Sequence, residues 1–158
     1  MINTIHAPSL RQADKDGKKV LIPVNPQIAL SQRGPVIPVY ISHPEKVIEK
    51  FKEEGKPVPV IQIQALIDTG ASGSVITPRV VQELGLIQTG FQKITSVNNE
   101  EEQPQYFAKI QLPWGTHKDI SVVACPLKGG IECLIGRDIL MHWNFIYNGK
   151  DGFITICD

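Results

Sequence analysis

Four apolar residues at every second position, Ile61, Ile63, Ala65 and Ile67, alternate with Gln62 and Gln64 and then give way to Asp68 and a glycine at 70. Period-two alternation describes a strand with one buried face, so the run delivers a carboxylate to the end of a rigid element, just before a turn. An unpaired carboxylate in apolar surroundings costs several kcal/mol, roughly, which leaves Asp68 in need of a partner or a task.

The remainder of the chain repeats the short-strand pattern. At 158 residues, 42% hydrophobic and 20% charged, it suits one globular domain with a single core. Sixteen Lys and Arg balance sixteen Asp and Glu, so no basic footprint for nucleic acid is expected, and Lys15, Lys18 and Lys19 beside Asp14 and Asp16 read as a solvated turn. MINTIHAPSLRQ has neither a basic n-region nor an apolar h-region, and no run approaches the roughly 18 residues of a membrane span. A cytoplasmic protein without membrane contact is expected. The three cysteines, Cys125, Cys133 and Cys157, suit reduced thiols. His6, His43, His117 and His142 lack ligand spacing, so neither metal nor cofactor is expected.

Residues 1–25 form an extension with a turn signal at Asp16-Gly17 and an apolar run, Val20 to Ile22, that proline at 23 confines to an edge. Strands are predicted at Val36–Tyr40 and Val60–Ile67. Between them lies a helical insertion over 43–57, opened at Pro44, apolar at Val47, Ile48 and Phe51, and stopped by Gly55 and Pro57. Val75-Ile76 is a further strand. Thr77, Pro78 and Gly85 supply an N-cap, an N1 proline and a C′ glycine for a helix carrying Val80, Val81 and Leu84. A hairpin follows: Phe91 to Val97, a turn at Asn98-Asn99, and a return through Tyr106, Ala108, Ile110 and Leu112. Ile120–Ala124, Leu134–Gly136, a short helix from Arg137 to His142 and a closing hairpin over 145–156 complete the domain. Many short strands and few helical turns predict an all-β domain of closed-barrel character.

Leu66-Ile67-Asp68-Thr69-Gly70-Ala71-Ser72 resembles the active-site segment of aspartic proteases, and Cys133-Leu134-Ile135-Gly136-Arg137-Asp138-Ile139-Leu140 resembles their apolar-apolar-glycine segment in its single-lobe retroviral form. The two occur in order and one lobe apart, over residues 26–156. The resemblance implies a retropepsin-like closed β-barrel lobe with short helices, occupying 26–158 and acting as a homodimer. It implies an aspartic endopeptidase acting on peptide or protein substrates, with Asp68 from each subunit as the catalytic pair. Thr69 and Gly70 would support the active site, Gly70, Ala71 and Ser72 would floor the peptide groove, and Val97, Asn98 and Asn99 would form its lid, or flap. Gly136, Arg137 and Asp138 would be dimer or structural residues. PQIALSQRGPVIPVYI, from Pro26, is similar to the opening of these proteases, where an intersubunit strand precedes the first core strand.

Two departures stand out. The hairpin lacks a glycine-rich tip and carries Glu100, Glu101 and Glu102, which read as a solvated face or as a device against acidic peptides. In the retroviral proteins a carboxylate two residues after the active-site glycine pairs with the arginine matched by Arg137; here that position is Ser72, and Arg137 needs another partner. Among other readings, a sugar-kinase-type phosphate loop, Asp68 to Ser74, requires two such loops and twice the length, and a P-loop requires a lysine after its glycines. A dimeric peptide-binding module without turnover is the alternative on the same fold.

Overall fold

The computed structural model describes residues 2–7, 10–15, 18–95 and 100–157. In chain order the elements are β1 (Ile2–His6), β2 (Leu10–Lys15), β3 (Lys18–Pro23), α1 (Pro26–Arg33), β4 (Val36–Ser42) and α2 (Glu45–Glu53). Next come β5 (Val60–Ile67), β6 (Val75–Ile76), α3 (Pro78–Leu84), β7 (Gln88–Thr95) and β8 (Glu100–Leu112). The chain ends with β9 (Gly115–Ala124), β10 (Cys133–Ile135), α4 (Arg137–Leu140), β11 (Asn144–Asn148) and β12 (Phe153–Cys157). The protein is therefore mostly β with short helices. Among the described residues no helix is long and apolar enough to cross a membrane.

Seven strands form the main sheet in the order β4-β5-β10-β6-β9-β8-β7, and β4 also pairs with β8 through Tyr40↔Gln111, Ile41↔Ile110 and Ser42↔Lys109. Alternation along these strands fills the interior. Ile37, Val39 and Ile41 of β4, Ile63, Ala65 and Ile67 of β5, Ala108, Ile110 and Leu112 of β8, Val122 and Ala124 of β9, and Cys133 and Ile135 of β10 are buried in one cluster with Val80, Val81 and Leu84 of α3. Each large aliphatic side chain buried there contributes about 1.5–3 kcal/mol. In β8 the buried positions begin at Ala108, whereas Glu100 to Glu102 are exposed. The first half of that strand consequently projects beyond the core as a hairpin with β7.

Helices α1, α3 and α4 lie against β12, β5 and β10 respectively. α2 uses its polar side to seat itself on β8 and β9: the Glu45 amide donates to Asp119 Oδ2 at 2.9 Å, and Glu45 pairs with Lys109. Ile48 is buried beneath it. α3 ends at Gly85, whose φ of 63° is the left-handed conformation that glycine adopts without strain. Its N-terminus differs from expectation, because Thr77 Oγ1 is buried and makes no hydrogen bond among the described residues.

A larger difference lies at residues 26–33. These form α1 rather than the extended opening implied by the resemblance, because Asn25 accepts from the Gln27 amide at 2.8 Å as an N-cap and Pro26 occupies the first turn. A separate three-stranded sheet, β1-β12-β11, joins the two ends of the chain, with Ile2 opposite Cys157 and His6 opposite Phe153. The turns read at Asp16-Gly17 and Asn98-Asn99, together with Val97, lie outside the described residues.

Candidate active site

Asp68 follows β5 directly. β5 runs parallel to β10 with Ala65 opposite Cys133 and Ile67 opposite Ile135, and the register continues one step as the Asp68 amide donates to the Ile135 carbonyl at 2.9 Å. The backbone leaves the sheet only after this bond. Its side chain is then fixed by the turn, since Oδ1 accepts from the Gly70 amide at 2.8 Å, and the Ala71 amide donates to the Asp68 carbonyl at 3.2 Å. Asp68 is half-buried, while Thr69 and Gly70 are exposed. Among the described residues no hydrogen bond reaches the second carboxylate oxygen of Asp68.

The loop is braced from α4. Arg137 Nη1 donates to the carbonyls of Thr69 at 2.9 Å and Gly70 at 3.1 Å, and the Arg137 amide donates to the Ala71 carbonyl at 2.9 Å. The arginine without a carboxylate partner in the sequence thus ties the turn carrying Asp68 through backbone oxygens. Asp138 has a different employment: Oδ2 accepts from the Ser74 amide at 2.8 Å, and Oδ1 accepts from Ser74 Oγ at 2.8 Å and the Ile139 amide at 2.9 Å. Ser74 Oγ in turn accepts from the Gly136 amide at 3.1 Å. Gly136 permits this approach, since a Cβ there would stand 2.5 Å from the backbone of Gly73. Both Asp138 oxygens are engaged in holding two loops together.

A cleft of about 510 Å³ opens in front of Asp68. Gly70 to Val75 supply one side, Gln92, Lys93 and Ile94 of β7 the other, and Ser121, Val123 and Cys125 the wall between them. Ser121 and Val123 of β9, continued by Cys125 just after it, alternate with Val122 and Ala124, which belong to the core cluster, so they are the strand's second face. Ser121 Oγ is buried there and makes no hydrogen bond among the described residues. Burial raises the Cys125 thiol, and the charge of Glu101 raises it further.

Of the residues singled out in the sequence, Asp68, Gly70, Ala71 and Ser72 come together on this cleft, Gly136, Arg137 and Asp138 lie behind it, and Thr69 sits on the exposed turn. Ser74 and the β9 wall were not anticipated. The alternation of Ser121, Val123 and Cys125 with Val122 and Ala124 was the available signal for the wall. Among the described residues no three His, Cys, Asp or Glu side chains are grouped to hold a metal ion. The carboxylate of Asp68 on the cleft offers acid–base chemistry, and one carboxylate cannot serve as base and acid in a single step.

The family model for aspartyl proteases matches residues 52–139. Among solved structures, the chain is similar to a retropepsin-like aspartic protease from Rickettsia conorii, with 16% identity and a TM-score of 0.50 over 99% of this chain and 91% of that one. It is also similar to the EIAV protease complexed with the inhibitor HBY-793, with 24% identity and a TM-score of 0.42 over 51% of this chain and 76% of that one. The Simian Foamy Virus (mac) protease gives 13% identity and a TM-score of 0.41 over 66% and 91%. A search of curated proteins returns no match. The Rickettsia likeness runs over nearly the whole chain and shows the fold.

Proposed function

The chain belongs to the aspartyl protease family, with a retropepsin-like fold, and we propose that it is an endopeptidase whose active site is completed by Asp68 of a second copy. The observation that carries this reading is the contrast between two carboxylates. Asp68 faces the cleft with one oxygen uncommitted among the described residues, whereas both oxygens of Asp138 are bound to Ser74 and the start of α4. A second reacting acid has to come from elsewhere, and a two-fold axis supplies an equivalent one.

In that arrangement two carboxylates a few ångströms apart share one proton, as in the aspartic-protease dyad that is a standard worked case of like-charge coupling. The ionised member takes a proton from a water held between them, and the protonated member donates to the scissile carbonyl oxygen as water attacks the carbon. No covalent intermediate is required. In this reading Thr69, exposed on the turn, hydrogen-bonds the second copy, Gly70 to Ser72 floor the peptide groove, and the β7–β8 hairpin covers it.

The pairing of β4 with β8 supports a closed-barrel lobe spanning residues 26–158. Residues 1–25 are an extension whose β1 joins the terminal sheet. Met141, after α4, and Ile146, in β11, are 75% and 56% exposed, which supports burial of this region against a second copy. Three free thiols suit a cytoplasmic setting.

The test is Asp68→Asn, which keeps shape and removes the carboxylate. Hydrolysis of a diverse peptide library should fall by at least about a thousandfold, with the circular dichroism spectrum and sedimentation unchanged. Near wild-type turnover in the folded variant would overturn the assignment, and wild-type protein that binds peptides without cleaving them would identify a binding module instead.

A further inference from the structure

The β7–β8 hairpin carries three glutamates in a row, and successive side chains of a strand point to opposite faces. Register decides which face each one takes. β8 pairs with β9 so that Gln105 stands opposite Val123 and Phe107 opposite Ser121, and Ser121 and Val123 line the cleft. Gln103 and Glu101 continue that face at period two. The β7 side agrees, since Glu101 is opposite Ile94 and Gln103 opposite Gln92, both of which line the cleft. Side-chain bonds tie this face together, from Gln103 Nε2 to Glu101 Oε2 at 3.1 Å and from Gln105 Nε2 to Gln92 Oε1 at 3.2 Å. The field of Glu101 also reaches Cys125, on the cleft wall. Glu100 and Glu102 take the opposite face, and Glu102 stands across from Lys93.

Resting on the reading that this cleft takes a peptide, we propose that Glu101 selects substrates carrying Lys or Arg at the position beneath the hairpin and rejects Asp or Glu there. A cationic side chain at that position forms a charge-assisted hydrogen bond with the Glu101 carboxylate. A substrate carboxylate meets like charge, and Asp68 at the base of the cleft adds to the repulsion. Lys93 borders the same cleft, but alternation directs its side chain to the face of Glu102, so it does not neutralise Glu101.

The experiment uses pairs of peptides that differ only by Lys or Glu at one scanned position. Binding to the full Asp68→Asn chain is measured by fluorescence anisotropy, and kcat/KM is measured with the wild type. At one position the Lys peptide should bind about fivefold or more tightly than its Glu counterpart. Glu101→Gln should bring that ratio close to one at that position alone, Glu101→Lys should invert it, and Glu102→Gln should leave it unchanged. A ratio untouched by Glu101→Gln, an equal effect from Glu102→Gln, or no position that distinguishes Lys from Glu overturns the proposal. Charge-selective binding without turnover by the wild type would sink the endopeptidase reading and leave the role of Glu101 standing.

Discussion

Ser74 is 1% exposed, yet its hydroxyl serves two loops, donating to Asp138 and accepting from the Gly136 amide. Its neighbour in this network, Asp138, would look by residue type like a second active-site acid, and its position shows instead why the loop bearing Asp68 keeps its shape. Three donors converge on the Asp138 carboxylate, and bonds to a charged group are worth about 1.5–3 kcal/mol each, with a further penalty for any donor left buried and unpaired. Ser74→Ala should therefore lower stability by about 2 kcal/mol and Asp138→Ala by about 2–4 kcal/mol, as measured by urea unfolding at one fixed protein concentration. Because the two groups share a bond, the double variant should cost at least about 1 kcal/mol less than the sum. Strict additivity would mean that the two side chains do not act as one unit. Arg137 teaches a related lesson. Its acceptors are the backbone carbonyls of Thr69 and Gly70, and a carbonyl has no letter in the sequence, so no residue type marks them.

Elements were legible where one periodicity or one cap acted locally. β5 follows from the alternation before Asp68, the buried half of β8 from Ala108, Ile110 and Leu112, and the end of α3 from Gly85. α1 was missed although Asn25 and Pro26 carry its start signals, because only Ala29 and Leu30 are buried in it and the helix depends on packing against distant elements, such as the Tyr147 hydroxyl that donates to the Leu30 carbonyl. β10 shows the opposite situation. It has three residues, too few for a pattern, and is held by β5 on one side and β6 on the other. Cys133 at its start is fully buried, and burial first, then the charge of Asp138, pushes its thiol up to about 12 from the usual 9.0. The unfolded chain ionises this thiol near 9 and the folded chain only near 12, so between those values the unfolded state binds fewer protons. Stability then falls as pH rises, by about 1.4 kcal/mol per pH unit from this one group, and the group contributes nothing to the pH dependence below that window. Cys133→Ala removes the titration, whatever it does to absolute stability. Its unfolding free energy should decline less steeply than that of the wild type between about pH 9.5 and 11, and parallel curves would show that β10 admits water to the sulfur.

At the scale of the whole molecule, the proposed site needs two chains. If each copy contributes one Asp68, specific activity must fall on dilution as dimers dissociate by mass action, which a site complete within one chain would not show. Dilution can also unfold or adsorb protein, so mixing is the more decisive form. Wild-type and Asp68→Asn chains are combined in equal amounts, well above the concentration at which dimers dissociate, and exchange is followed with labelled subunits. Random pairing gives about one quarter wild-type dimers, and a mixed dimer holds one carboxylate, which cannot be base and acid in the same step. Since the wild-type protein in buffer has all of its chains in active pairs, the mixture should retain about half of that activity. Retention of the full activity after verified exchange would mean that Asp68 works with an acid from its own chain. Asp138 would have to be freed from Ser74 to serve, and the network that holds the loop would then be part of the chemistry rather than its support.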